Sequence, residues 1–239
     1  MAIFTDLDGS LLHRDTFKFD PIKDYIVSLV DRGIIIIPNS SKTEKEIEKF
    51  NKELGVDLPY ISENGSSIHG LNLINHNFPN KIILSREKEE LQKIFNEKIP
   101  EQLKDKCIQI SKMNKKEQEK IFGQKDDKLK NALNRKYTSP FLFKGDKNEQ
   151  NKLSKILSSN SLTLQEGGRV INLCDNINKV KSMNTYHFRI FHYHGNHLNM
   201  QHVHNQLQRN RYYSNIYLQN SHHYHYKFFR NISFFLTWR

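Results

Sequence analysis

Two carboxylates one residue apart, Asp6 and Asp8, follow the short run Ile3-Phe4-Thr5 near the start of a 239-residue chain. On an extended segment, residues i and i+2 project from the same side. At the carboxyl end of a parallel strand, where open α/β sheets bind ligands, such a pair can divide a hydrolysis. One carboxylate attacks phosphorus and forms a covalent intermediate, while the other handles protons. The stretch Asp6-Leu7-Asp8-Gly9-Ser10-Leu11-Leu12 also suits a plainer role, a pair of N-cap aspartates in a strand-to-helix turn.

Three further groups bear chemistry. Ser40-Ser41-Lys42-Thr43 follows a β-branched run and opens a helix, so backbone N–H groups and the positive helix end would face an anion; a helix N-cap is the simpler use. Glu63-Asn64-Gly65 closes a third apolar strand, and Asn-Gly is by itself a turn pair. In Gly167-Gly168-Arg169 the guanidinium can clamp a carboxylate or phosphate through two parallel hydrogen bonds, or stand exposed on a strand.

The elements that must position these groups are legible as alternating strands and helices. Ile3–Leu7 reads as a buried strand. Pro21–Arg32 carries helical spacing through Ile22, Tyr25, Ile26, Leu29 and Val30, and Gly33 stops it. Ile34–Ile37 suits a parallel strand covered on both faces. A helix over Thr43–Leu54 stops at Gly55, and Leu58–Ser62 is a third strand. This β-α-β-α-β order predicts an α/β fold with a doubly wound parallel sheet and right-handed crossovers. From residue 81 the rhythm changes. Strands are expected at Lys81–Leu84, Phe141–Lys144, Leu162–Gln165 and Val170–Leu173, with helices at Glu87–Lys98, Lys115–Arg135 (interrupted at Gly123) and Lys147–Ser158. The division expected is a core over 1–80, an inserted α+β cap over 81–173, a return to the core over 174–183, and a tail over 184–239.

The motifs in this order resemble the haloacid dehalogenase superfamily. That resemblance implies that Asp6 would be the nucleophile and Asp8 the general acid/base. Mg²⁺ would sit between the Asp6 carboxylate, the Asp8 backbone carbonyl, the substrate phosphate and an acid from a later motif. Ser40 would bond a phosphoryl oxygen, and Glu63-Asn64-Gly65 would lie beside the active site, as in the Cof-type branch. Ser40-Ser41-Lys42-Thr43, Ser62-Glu63-Asn64-Gly65, Ser139-Pro140-Phe141 and Gly167-Gly168-Arg169 together resemble the mannosyl-3-phosphoglycerate phosphatase family. That adds Lys42, Gly168 and Arg169 as substrate-binding residues under a closing cap. Asn178-Lys179-Val180-Lys181 is similar to the family's D-K-G-K, making Lys179 the lysine that neutralises the transferring phosphoryl group.

The chain departs from the pattern at several places. Asn178 and Val180 replace Asp and Gly, and Thr138-Ser139-Pro140 stands where the family has S-E-P. No Asp or Glu follows Asp175, so the acidic motif expected to complete the magnesium site is missing. Histidine is a poor replacement, because Mg²⁺ prefers oxygen. The last parallel strands of the core are expected to be lost with it.

Residues 184–239 also differ in composition. They hold nine of the twelve histidines and seven of the ten tyrosines, with no acid and with Gly195 as their one glycine. A histidine-rich metal-binding tract and a diverged structural segment are both open readings. The preferred reading is a changed frame in an A/T-rich gene, where codons for Lys, Asn and Ile shift to Tyr, His, Asn and Phe. Basic residues of this tail supply about half of the net charge of +11, so nucleic acid is not an expected partner of the core. No apolar run approaches the ~20 residues of a membrane span, no secretory signal precedes Asp6, and Cys107 and Cys174 make neither a disulfide framework nor a zinc site. A cytoplasmic enzyme acting on a small phosphorylated molecule, most specifically mannosyl-3-phosphoglycerate, is the leading expectation. An inactive, truncated relative and a polyanion-binding protein using the basic tail are the alternatives.

Overall fold

The computed structural model describes residues 2–191 and 232–235. Strand β1 (Ala2–Thr5) is followed by helix α1 (Asp20–Asp31), strand β2 (Ile35–Pro38), helix α2 (Glu44–Leu54) and strand β3 (Tyr60–Ser62). β1 and β2 pair in parallel, Ala2 opposite Ile35 and Thr5 opposite Pro38. A single parallel bridge, Asn39 to Ile61, carries the sheet on to β3. Strands β4 (Ser67–His69) and β5 (Lys81–Ile83) then add in antiparallel fashion.

Period-2 alternation explains why helices cover both faces. Ile36 packs with Leu7, Ile26, Ile47, Phe50 and Leu54, the face under α1 and α2. Its neighbour Ile37 points the other way, among Phe4, Ile61, Ile68 and Tyr186. The apolar run at 34–37 therefore needs both of its sides, as expected of a doubly wound sheet. α2 owes its bounds to local chemistry: Thr43 and Glu46 form a reciprocal capping box, and Gly55 ends the helix at φ 84°.

A second layer begins with α3 (Lys88–Lys98) and α4 (Glu101–Lys104), then β6 (Cys107–Gln109), α5 (Lys115–Phe122), α6 (Asp126–Leu133), β7 (Ser139–Phe143), α7 (Lys147–Ser159), β8 (Leu162–Glu166) and β9 (Ile171–Asp175). The four strands form an antiparallel sheet in the order β6-β7-β9-β8. Leu91, Phe95, Leu153 and Leu157 from α3 and α7 pack on one side of it. Phe122, Leu129 and Ala132 from α5 and α6 cluster with Leu142 and Val170 on the other. The lysine-rich stretch expected at 115–135 is two helices, separated where Gly123 takes φ 65°. β5 hydrogen-bonds into the core sheet although 81 was expected to open the cap, and β9 runs two residues past the expected limit of 173.

Helix α8 (Lys179–Phe191) returns the chain to the core. It runs straight through the composition break at 183, and Tyr186 is fully buried, edge-on to Phe4 with ring centroids 5.3 Å apart. The tail expected to begin at 184 is thus helical in its first residues, through Phe191. β10 (Ile232–Phe235) pairs antiparallel to the free side of β1, where further parallel strands had been expected to be lost. The frame-change reading of the tail concerns mainly residues outside those described. Among the described residues no helix is long and apolar enough to cross a membrane.

Candidate active site

Asp6 stands just past the end of β1, with the Thr5 carbonyl accepting the Asn39 N–H at 2.7 Å to fix the strand end. Its Oδ1 accepts the Leu7 N–H at 2.8 Å, and its Oδ2 lies 3.0 Å from Lys179 Nζ. Lys179 opens α8, so the ion pair joins two segments far apart in sequence. Asn178, which replaces the family's aspartate, accepts the Lys181 N–H through Oδ1 at 2.9 Å and so keeps the N-cap function. Val180, which replaces glycine, projects into solvent. Asn39 donates Nδ2 to the Lys179 carbonyl at 3.0 Å and fixes the helix start against β2; no sequence signal pointed to it.

Asp8 pairs with Lys42, Nζ to Oδ1 at 3.1 Å, and Lys42 also meets Glu46 at 3.3 Å. Burial pushes the Asp8 carboxyl above the ordinary carboxylate range, while the Lys42 ammonium opposes that shift. A carboxyl whose proton is held more tightly than usual is what a general acid requires.

Ser40 is buried and its Oγ accepts the Lys42 N–H at 3.2 Å. The N-cap of α2 is Thr43, three residues on. Two of the amides expected to face an anion are taken up locally, Lys42 N–H by Ser40 Oγ at 3.2 Å and Thr43 N–H by Glu46 at 2.9 Å.

Glu63-Asn64-Gly65 is a hub. The Asn64 and Glu63 N–H groups bond the carbonyls of Ser40 (3.0 Å) and Lys42 (2.9 Å). The Glu63 carboxylate, buried, accepts from Lys136 N (2.9 Å), Tyr137 N (3.1 Å) and Thr138 Oγ1 (2.7 Å). Its oxygens are occupied by the cap segment, so the expectation of Glu63 as a substrate ligand gives way to an anchoring position. Arg135, which no motif marks, completes that anchor by donating Nη1 to Ser41 O at 3.1 Å and Thr138 Oγ1 at 3.0 Å. Gly65 faces α8: a Cβ on it would lie 2.5 Å from the Asn178 carbonyl oxygen and 2.7 Å from Ser182 Oγ, at φ 103°. Only glycine allows this approach.

Gly168 and Arg169 lie on the cap, exposed. Arg169 does not reach Asp6 or Asp8. It donates Nη1 to Phe122 O at 2.7 Å and Nη2 to Arg14 O at 3.2 Å, and it sits over the Phe17 ring. The structure thus gathers Asp6, Asp8, Ser40, Lys42, Asn64, Gly65 and Lys179 at the strand ends, and holds Arg169 beside the 13–18 loop.

For a magnesium ion, the Asp6 carboxylate and Asp8 carbonyl have the right donor chemistry, hard oxygen. Among the described residues, however, no three His, Cys, Asp or Glu side chains gather where they could hold a metal. The residues present fit Mg²⁺ in kind but not as a full set.

An α/β core with paired carboxylates at its strand ends and an inserted α+β layer defines a class of hydrolase. Residues 3–187 match the haloacid dehalogenase-like hydrolase family, and the chain belongs to it. Its relatives include a glucosyl-3-phosphoglycerate/mannosyl-3-phosphoglycerate phosphatase from Persephonella marina, 31% identical over 182 residues, covering 72% of this chain and 66% of that protein. A protein of the same name from Methanococcoides burtonii is 29% identical over 199 residues, covering 76% and 70%. The mannosyl-3-phosphoglycerate phosphatase of Pyrococcus horikoshii is 50% identical over 66 residues, covering 28% of this chain and 26% of that protein. The chain spans just under two thirds of the length of the first of these. Among solved structures, a haloacid dehalogenase-like hydrolase from Bacteroides thetaiotaomicron superposes with a TM-score of 0.55 at 14% identity, over 79% of this chain and 76% of that one.

Proposed function

We propose that this chain is built as a phosphomonoesterase for a small phosphorylated sugar or glycerate, with mannosyl-3-phosphoglycerate as the specific substrate. The observation that carries this reading is the pairing of Asp6 with Lys179 beside a half-buried Asp8 that is paired with the buried Lys42. In the first step an Asp6 carboxylate oxygen attacks phosphorus, the bond to the leaving oxygen breaks, and Asp8 gives that oxygen its proton. In the second, water attacks the aspartyl-phosphate, Asp8 takes the water's proton, and inorganic phosphate leaves with Asp6 restored. Lys179 neutralises the Asp6 carboxylate as the dianionic phosphoryl group approaches, and Ser40 and Lys42 hold phosphoryl oxygens. The relatives' names support the substrate choice.

Mg²⁺ would be held by Asp6 and the Asp8 carbonyl, with phosphate and water completing its shell, and would offset phosphoryl charge. Lacking a further acid, the site would bind the ion weakly. The two free cysteines suit a reducing cytoplasm, the compartment of this reading. The test is turnover of mannosyl-3-phosphoglycerate and p-nitrophenyl phosphate across a Mg²⁺ titration, with Asp6→Asn alongside. Metal-dependent turnover lost in the variant supports the reading; turnover indifferent to Asp6 defeats it.

A further inference from the structure

Phe17 lies in the loop between the Asp8 turn and α1, and two cations from distant segments rest on its ring. Lys42 Nζ of the core is 4.7 Å from the ring centroid, and the Arg169 guanidinium carbon of the cap is 5.1 Å from it. A cation over an aromatic face is drawn to the ring's negative quadrupole, so one ring attracts two groups that otherwise repel each other. The backbone supplies an independent observation. Phe17 takes φ 57°, a left-handed conformation that is unfavourable for a bulky residue and persists only where its surroundings enforce it. Here the enforcement is visible: Phe17 N–H bonds His13 O at 2.9 Å, His13 N–H bonds Lys18 O at 2.9 Å, and Arg169 holds Arg14 O from the cap side. Phe17 and Lys42 also line one groove together with Asn131.

We propose that Phe17 is a positioning residue whose ring, carried on a left-handed backbone, holds the core lysine Lys42 and the cap arginine Arg169 in register, setting the spacing at which these two cations meet an anionic substrate. The substrate's part in this role rests on the phosphatase reading; the coupling of the three side chains does not. Leucine at 17 keeps bulk and loses the π face, whereas tyrosine keeps both.

Amide exchange of the full chain tests the coupling without any turnover. Phe17→Leu and Arg169→Gln should each raise exchange in the 13–18 loop about tenfold, and the double variant by less than the product of the two, because either change removes the shared ring–guanidinium contact while the bond to Arg14 O is lost only with the arginine. A double variant at the full product, or no increase in Phe17→Leu, overturns the proposal. In turnover of mannosyl-3-phosphoglycerate, Phe17→Leu should raise KM about tenfold with a smaller change in kcat, and Phe17→Tyr should restore it. Equal KM in wild type and Phe17→Leu, or a Phe17→Tyr as impaired as Phe17→Leu, overturns it as well. A wild type that turns nothing over would sink the phosphatase reading, and the exchange result alone would then decide the role of Phe17.

Discussion

Lys179 Nζ lies 3.0 Å from Asp6 Oδ2, an ion pair that joins the helix leaving the cap to the end of the first core strand. Both partners are about one-third exposed, so the pair adds little to stability. In the proposed chemistry it puts a positive charge where a phosphoryl group would approach the Asp6 carboxylate. Lys179→Met should lower kcat about 10²–10³-fold, the loss typical when one preorganised charge is removed, with unfolding midpoint nearly unchanged. Steady-state kinetics beside urea unfolding would check this; a large stability loss with intact kcat would contradict it.

Glu63 makes a different case. Its buried carboxylate serves three donors of the 136–138 segment, and Glu63→Ala would leave them unsatisfied. The expected cost is about 3 kcal/mol, since each stranded buried donor costs about 1–3 kcal/mol and some relaxation occurs. Urea unfolding reads it directly, and a loss below about 0.5 kcal/mol would show that the segment finds other partners.

Gly65→Ala tests the close approach of the turn to α8. A methyl group 2.5 Å from the Asn178 carbonyl oxygen must push the start of the helix away, and Lys179 with it. Activity should fall by at least about tenfold through that displacement, and kcat should fall more than affinity for inorganic phosphate. Wild-type kcat in Gly65→Ala would mean that the helix start is not held against this turn.

Stability should also depend on pH through His69. The ring is buried, stacked on Tyr60 at 4.5 Å and bonded to Ser67 Oγ at 2.9 Å. Burial pulls its pKa down to about 4, with Glu44 raising it and Lys81 and Lys136 lowering it further. The unfolded chain, with an ordinary value near 6.5, therefore binds more protons between about pH 6.5 and 4. Stability from this group is complete above pH 6.5 and falls as pH drops through that window, by on the order of 2 kcal/mol. His69→Gln should flatten the profile of unfolding free energy there; an unchanged slope would place the titration elsewhere.

Much of this arrangement is legible in the residues. β1, β2 and α2 announce themselves because apolar periodicity and glycine stops coincide with the elements formed, and the order of Asp6, Ser40, Glu63 and Lys179 survives in space. What escaped has physical causes. β4 is Ser-Ile-His, too polar for a strand signature, and it forms because its neighbours supply two hydrogen-bonding edges. α8 crosses the composition break because Tyr186 finds a buried place against Phe4, a tertiary gain that periodicity does not display. Glu63 was expected at a ligand and instead anchors the cap, since sequence order cannot tell which partner reaches a carboxylate first. Arg169 likewise meets Phe17 and Arg14, residues of a loop whose strained geometry has no sequence marker.

If the proposed chemistry holds, Asp6 becomes phosphorylated during turnover. Incubating the full chain with substrate labelled in its phosphate, quenching in acid and mapping the label is the most direct measurement. The expected result is an acid-stable, hydroxylamine-labile label on the peptide carrying Asp6, absent from Asp6→Asn. Turnover with no protein-bound phosphate, or with the label on another residue, would contradict it.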